Sequence, residues 1–307
     1  MAQIHGGDDD GDGTNDGGEV VTGESYFHVM PEDSVSCIIS FTTPRDACVV
    51  SSVSKMFKSA AQSDVVWERF LPSDYSSLVP QSLVFSSKKE LYLALSDNPV
   101  LIDDGKKSFW LEKPTGKKCY MISALDLTII WGGTPSYWQW ISVPESRFER
   151  VAELLNVCWL EIRGKIGAGM LSLGTLYSIY FVFKTTDRWY GFDKVPVEAG
   201  VGVVGSEASS HRLICFDAGR GGSFLRRRLR PWIHPRVSRE EEERSNGLVE
   251  PKERGDGWME VELGEFFNNG NGDEIVAINV LETKGGNWKS GLIVQGIEIR
   301  PKEDGNN

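Results

Sequence analysis

Apolar positions follow three different spacings along this chain. Residues 1–24 are Gly, Asp, Asn and Thr with almost nothing to bury, which predicts a disordered tail. From residue 30 to 71 the spacing becomes helical, with Val35, Ile38 and Ile39 at helical intervals. Thr43-Pro44-Arg45-Asp46 reads as a helix start: a hydroxyl cap, a proline in the first turn and an acid three residues after the cap. Val49, Val53 and Phe57 then follow at i, i+4 and i+8 and predict one helical face. Ser63-Asp64 opens another helix, carrying Val66, Trp67 and Phe70. Roughly 40 residues bury little on their own. This helical unit is therefore expected to complete its core against something else. Residues 73–107 read as a linker, with a helix near 87–97 opened by the Ser87/Glu90 capping box and closed by Pro99.

From about residue 108 to 302 the period drops to two. Cys158, Leu160 and Ile162 alternate with Trp159, Glu161 and Arg163. Tyr177, Ile179, Phe181 and Phe183 share a face, as do Met259, Val261 and Leu263. Many short strands with turns between them predict an antiparallel β-sandwich. The expected fold class is thus mixed: a small all-α unit (25–72), then an all-β antiparallel sandwich (108–302), with a tail at 303–307. Residues 217–256 interrupt the alternation with segregated charge and read as a long loop.

Composition narrows the function. A net charge of -11 repels phosphate backbones, so nucleic acid is not an expected partner. No apolar run approaches the roughly 20 residues that span a bilayer. The Asp/Gly-rich start lacks the features of a signal peptide, so cytoplasm or nucleus is the expected location, with no membrane partner. The five cysteines form no C-x-x-C pair and read as reduced thiols.

Two motif matches fail on context and a third stays open. Asp8 to Glu19 formally fits a calcium loop, but only seven residues precede it, too few for the first flanking helix. Gly200 to Gly205 fits G-x-G-x-x-G, but loop and strand patterns follow it, and the reading is a glycine-rich strand. Arg226, Arg227, Arg228 and Arg230 form a basic run that reads either as loop or as a nuclear-import signal. With no catalytic constellation in view, neither an enzyme nor a cofactor is expected, and no metal site either.

The helical stretch resembles an F-box. Met30-Pro31, Ile38-Ile39, Pro44 with Asp46, Val53-x-Lys55-x-Phe57 and Val66-Trp67 stand in the order and spacing of that pattern. The second half is similar to the phloem protein 2 lectins of plants, through "SFWLEKPTGKKCYMISALDLTIIWGGTPSYWQW", "PESRFERVAELLNVCWLEIRGKI" and "DGWMEVELGEFFNNGNGDEIVAINVLETKGGNWKSGLIVQGIEIRP". The resemblance implies a jelly-roll-like sandwich binding N-acetylglucosamine oligomers or N-glycans. It implies an F-box that docks on a Skp-type adaptor and, through it, a cullin. The job implied is substrate receptor of an SCF-type ubiquitin ligase, recruiting a target protein, glycoproteins included, and doing no chemistry itself. Two other readings stay open: a receptor whose sandwich binds protein in place of sugar, and a soluble stress or defence lectin.

By the same resemblance Met30, Pro31, Ile38, Ile39, Pro44, Val53, Lys55, Phe57 and Trp67 are the adaptor-contact candidates, although periodicity alone reads several as internal core. Within "WGGTPSYWQW" (131–140), burial alone makes each tryptophan a core residue. The resemblance instead assigns Trp131 and Trp138, at W-x6-W spacing, as sugar contacts, and Glu282 is a separate candidate, as a hydroxyl acceptor. Tyr137 and Trp140 are expected to pack or form the rim.

Overall fold

The computed structural model describes residues 30–79, 84–192, 195–206, 209–216 and 247–302. The Asp8–Glu19 match and the basic run at 226–230 lie outside them. Among the described residues helices come first: α1 (Glu32–Ile39), α2 (Pro44–Val50), α3 (Lys55–Ala60), α4 (Asp64–Phe70), α5 (Tyr75–Leu78) and α6 (Lys88–Asp97). The local signals act as read. Thr43 and Asp46 close a reciprocal capping box on α2. Ser63 and Ser87 cap α4 and α6, but the Glu90 carboxylate accepts from Ser86, one residue ahead of the cap.

One helical expectation is corrected. Val49, Val53 and Phe57 do not lie on one helix, because α2 stops at Val50. The Ser51 and Ser52 hydroxyls donate back to the carbonyls of Cys48 and Val49, and Ser54 caps a new helix, α3. Serines that satisfy backbone groups locally compete with helix continuation.

The strands are β1 (Val100–Ile102), β2 (Lys107–Leu111), β3 (Lys118–Ser123), β4 (Thr128–Ile129), β5 (Trp138–Ile141), β6 (Val151–Leu154), β7 (Leu160–Gly167) and β8 (Thr175–Tyr190). They continue with β9 (Val197–Val203), β10 (Ser209–Ile214), β11 (Leu248–Val249), β12 (Lys252–Glu253), β13 (Met259–Asn268), β14 (Ile275–Glu282) and β15 (Ser290–Pro301). Pairing thus begins at Val100, ahead of the expected 108. Gly200–Val203 is strand, in the second half of β9.

Two sheets face each other. The larger runs β1-β2-β3-β15-β8-β13-β12, with β6 beside β15 and β5 beside β6. The smaller runs β11-β10-β9-β14-β7-β4. Among the described pairings only β10–β11 is parallel. Between the sheets lie Tyr177, Ile179, Phe181 and Phe183 of β8 and Leu292, Val294, Ile297 and Ile299 of β15, against Ile162, Val201, Ile278 and Val280. Each such side chain contributes roughly 1.5–3 kcal/mol on burial. Gly296 sits at a bulge in β15 where a Cβ would meet the Ile122 carbonyl oxygen at 2.0 Å, so only glycine admits β3 at this distance.

The linker helix does not float between two bodies. Leu91, Tyr92 and Leu95 of α6 are buried in the same cluster as α4 on one side and β2 on the other. The helical unit thereby completes part of its core within the chain.

Candidate functional site

β8 runs the length of the sandwich and orients everything else. Its first residues pair with Asn268 and Pro301, and its last, Tyr190, with Ser290. Its 16 residues, at about 3.3 Å each, span about 50 Å. The β2–β3 turn lies at the Thr175 end, where the Tyr177 hydroxyl donates to the Lys118 carbonyl at 3.1 Å. The helices dock there. The Arg45 amide donates to the Pro114 carbonyl at 3.1 Å. The Lys118 ammonium meets Asp74 at 3.0 Å. The β4–β5, β6–β7, β8–β9 and β14–β15 connections gather at the other end, as the pairings Ile129–Ile162, Leu160–Glu282 and Tyr190–Ser290 require.

At the helical end, the sequence-assigned contacts divide. Pro31, Ile38, Val53 and Lys55 are exposed, and Met30 and Phe57 are half-buried. Ile39, Pro44 and Trp67 are buried, which corrects their assignment as direct contacts. The Trp67 indole N–H donates to the Ala61 carbonyl at 2.7 Å, and its ring packs against Phe70 and Tyr92 at 5.6 and 5.2 Å. Pro44 faces the β2–β3 turn rather than solvent. In their place stand three apolar side chains that sequence reading missed: Phe41, Val49 and Val65. With Ile38 and Val53 they are between 51% and 75% exposed, spread over α1, α2, α4 and the adjoining turns. Apolar exposure concentrated on one small unit marks an interaction surface. No local signal separated exposed Val49 from half-buried Val50, which packs against the core cluster.

At the opposite end the tip loops carry aromatics. Trp131 sits at φ +59, in the left-handed region. Holding a bulky residue there costs on the order of 1–3 kcal/mol and is commonest at binding sites. The turn that holds it is well bonded. The Thr134 amide donates to the Trp131 carbonyl at 2.8 Å, and the Trp140 indole N–H donates to the Gly132 carbonyl at 3.1 Å. Trp131 is 43% exposed and lies 5.4 Å from the Tyr137 ring.

Trp138 does not join them. It opens β5, turns into the core and is only 2% exposed, which corrects its assignment as a sugar-stacking face. Glu282 is corrected as well. Its Oε1 accepts the Gly285 amide at 2.8 Å, and its Oε2 pairs with the Lys289 ammonium, both side chains being 1% exposed. Lys289 also donates to the carbonyls of Asn287 and Cys158. Glu282 thus organises loop 283–289 from within and has no face for a ligand hydroxyl. That loop presents Trp288, half exposed. Tyr190, in register with Ser290 two residues on, donates to the Asn156 amide oxygen at 2.5 Å. Trp288 had a visible signal, an aromatic inside the glycine-rich turn "KGGNWKSG", where burial is hard to achieve.

The F-box domain family model matches residues 27–69, and the phloem protein 2 model matches residues 117–301. The chain is similar to the F-box protein PP2-B1 of Arabidopsis thaliana, 56% identical over 98% of this chain and 99% of that one. It is 56% identical to the F-box protein PP2-B10 of the same plant, covering 90% and 94% of the two chains. It is 47% identical to the F-box protein SKIP3, covering 90% and 89%.

Proposed function

The chain belongs to the plant F-box proteins of the phloem protein 2 family, and on that premise we propose that it is the substrate-receptor subunit of an SCF-type ubiquitin ligase. The helical unit docks on a Skp-type adaptor, which joins it to a cullin and the ubiquitin-conjugating enzyme. The observation that carries this reading is the exposed apolar set Ile38, Phe41, Val49, Val53 and Val65. Other residues of the same unit are buried against α6 and the β2–β3 turn, while these side chains stay exposed and available to a partner. The receptor performs no bond chemistry. It raises the local concentration of target lysines near the transferring enzyme, a gain in effective molarity. Its working place is cytoplasm, nucleus or both.

The sandwich supplies recognition through its tip. Trp131 and Tyr137 offer an amphipathic aromatic platform suited to the C–H face of a sugar ring, so glycoproteins bearing N-acetylglucosamine oligomers or N-glycans are the favoured targets. A second reading, recruitment of protein without sugar, is favoured by one observation: two of the three assigned sugar contacts, Trp138 and Glu282, are buried. A glycan array with the wild type and Trp131→Ala separates the two. Sugar recognition predicts binding that the substitution abolishes. A blank array beside protein targets enriched under proteasome inhibition supports the second reading.

A further inference from the structure

A cleft of about 470 Å³ opens beside α5, at the end of the sandwich opposite Trp131. That volume lies in the range of small-molecule sites. Its walls are apolar and come from three separate segments. Leu78 and Val79 end α5, Ile102 ends β1, and Met170 closes the short helical turn 168–170 that follows β7. Each packs on the core and remains half-exposed.

Tyr120 of β3 stands at the floor. Its ring packs against Phe109 at 5.3 Å, and the residue is 1% exposed. Two other tyrosines are buried as deeply, and their hydroxyls are satisfied: Tyr177 donates to the Lys118 carbonyl, and Tyr92 to those of Glu112 and Lys113. The Tyr120 hydroxyl has no hydrogen-bond partner among the described residues, and it is not sealed from the cleft. A buried hydroxyl left unpaired is costly, so it calls for a partner from outside. Burial pushes its titration above the ordinary value of 10, and the Asp74 and Asp103 charges push it further. The hydroxyl therefore stays neutral and offers its proton.

The same carboxylates form the rim. Lys118 holds Asp74 at 3.0 Å, and Lys107 holds Asp103 at 2.7 Å and Asp126 at 2.9 Å. Three negative charges against two positive ones disfavour an anion. A cation at the floor would lose its hydration beside a neutral hydroxyl, while the rim carboxylates are already engaged by lysines. We propose that this cleft binds an uncharged small molecule with an apolar, ring-sized body and a carbonyl or hydroxyl oxygen at its inner end. Tyr120 donates to that oxygen, and the apolar walls enclose the body. The site depends neither on the receptor reading nor on the sugar platform.

Full-length protein labelled with carbon-13 at its methionine methyl groups tests this by magnetic resonance, with benzyl alcohol as the probe. Met170 reports on the cleft, and Met121 and Met259 of the larger sheet are controls. The expected result is a saturable shift at Met170 with a midpoint of about 1–10 mM, the range open to a ligand of this size, and none at the controls. Benzoate and benzylamine, similar in shape but charged, should bind about fivefold more weakly. Tyr120→Phe should lose about fivefold in affinity for the alcohol. Its melting temperature should equal or exceed that of the wild type, because no protein group loses a partner. No shift at Met170 overturns the site. Equal binding by either charged probe overturns the ligand class. Equal binding by Tyr120→Phe, or a lower melting temperature in that variant, overturns the role of the hydroxyl. The readout needs neither adaptor nor glycan, so failure of the receptor reading and failure of this site are separately visible.

Discussion

Trp131 and Trp138 stand seven residues apart in one turn and strand, yet the first is 43% exposed and the second 2%. The backbone at Trp131 is left-handed and the residue stands in the turn ahead of β5. The β5–β6 pairing, Trp138 against Leu154, turns the second indole into the core. Their substitutions should therefore differ in kind. Trp131→Ala is expected to leave the melting temperature within a degree or two, because an exposed ring contributes little to the fold, while glycan binding is lost. Trp138→Ala is expected to cost about 3–5 kcal/mol of stability, as removal of a buried tryptophan does. Urea denaturation of both variants beside a glycan array checks the contrast.

Glu282 and Lys289 predict a second asymmetry. Removing one member of a buried ion pair strands the other, at a cost of about 3–5 kcal/mol, whereas replacing both by apolar groups is often neutral. Glu282→Ala should destabilise by that amount and loosen the loop that carries Trp288. The double substitution Glu282→Leu with Lys289→Met should recover most of the loss. A double-mutant cycle by chemical denaturation measures the coupling.

The outer face of the larger sheet predicts how stability depends on pH. Burial alone would raise the Glu260 carboxyl, but the Arg300 and Arg254 guanidinium groups outweigh it and hold the group below its ordinary value of 4.5. Lys302, with Arg212, lowers Glu265 in the same direction. A carboxyl depressed in the folded state contributes stability that is present above the unfolded value and lost as pH falls through the folded one. The melting temperature should hold from pH 7 to about 5 and decline below about 4.5. Glu260→Gln should lower the plateau and flatten the decline in a thermal scan over the same range.

Legibility in the sequence followed distance along the chain. The Thr43/Asp46 box, the Ser63 cap and the alternation of Tyr177, Ile179, Phe181 and Phe183 are set by neighbours within a few residues, and each stands as read. The division between α2 and α3 was within reach of the serines at 51, 52 and 54, but helical periodicity masked it. Periodicity alone left Trp67 as core and the resemblance made it a contact; its burial against Tyr92, 25 positions later in the chain, agrees with the periodicity. Glu282 looked like an acceptor because its counter-ion sits beyond a glycine turn. The docking of α2, α4 and α6 around Gly116 in the β2–β3 turn was invisible, since no local pattern links that turn to the helices.

The most direct test of the account is a calorimetric titration of the purified chain with a Skp-type adaptor, using wild type, Ile38→Asp, Val53→Asp and Trp67→Phe. Exposed Ile38 and Val53 are expected to tolerate the charge, with melting temperature unchanged and adaptor affinity reduced at least about tenfold, some 1.4 kcal/mol or more. Buried Trp67→Phe should lower stability and leave the affinity of the folded protein intact. Wild-type affinity in both aspartate variants, or no binding by the wild type, would contradict the receptor account.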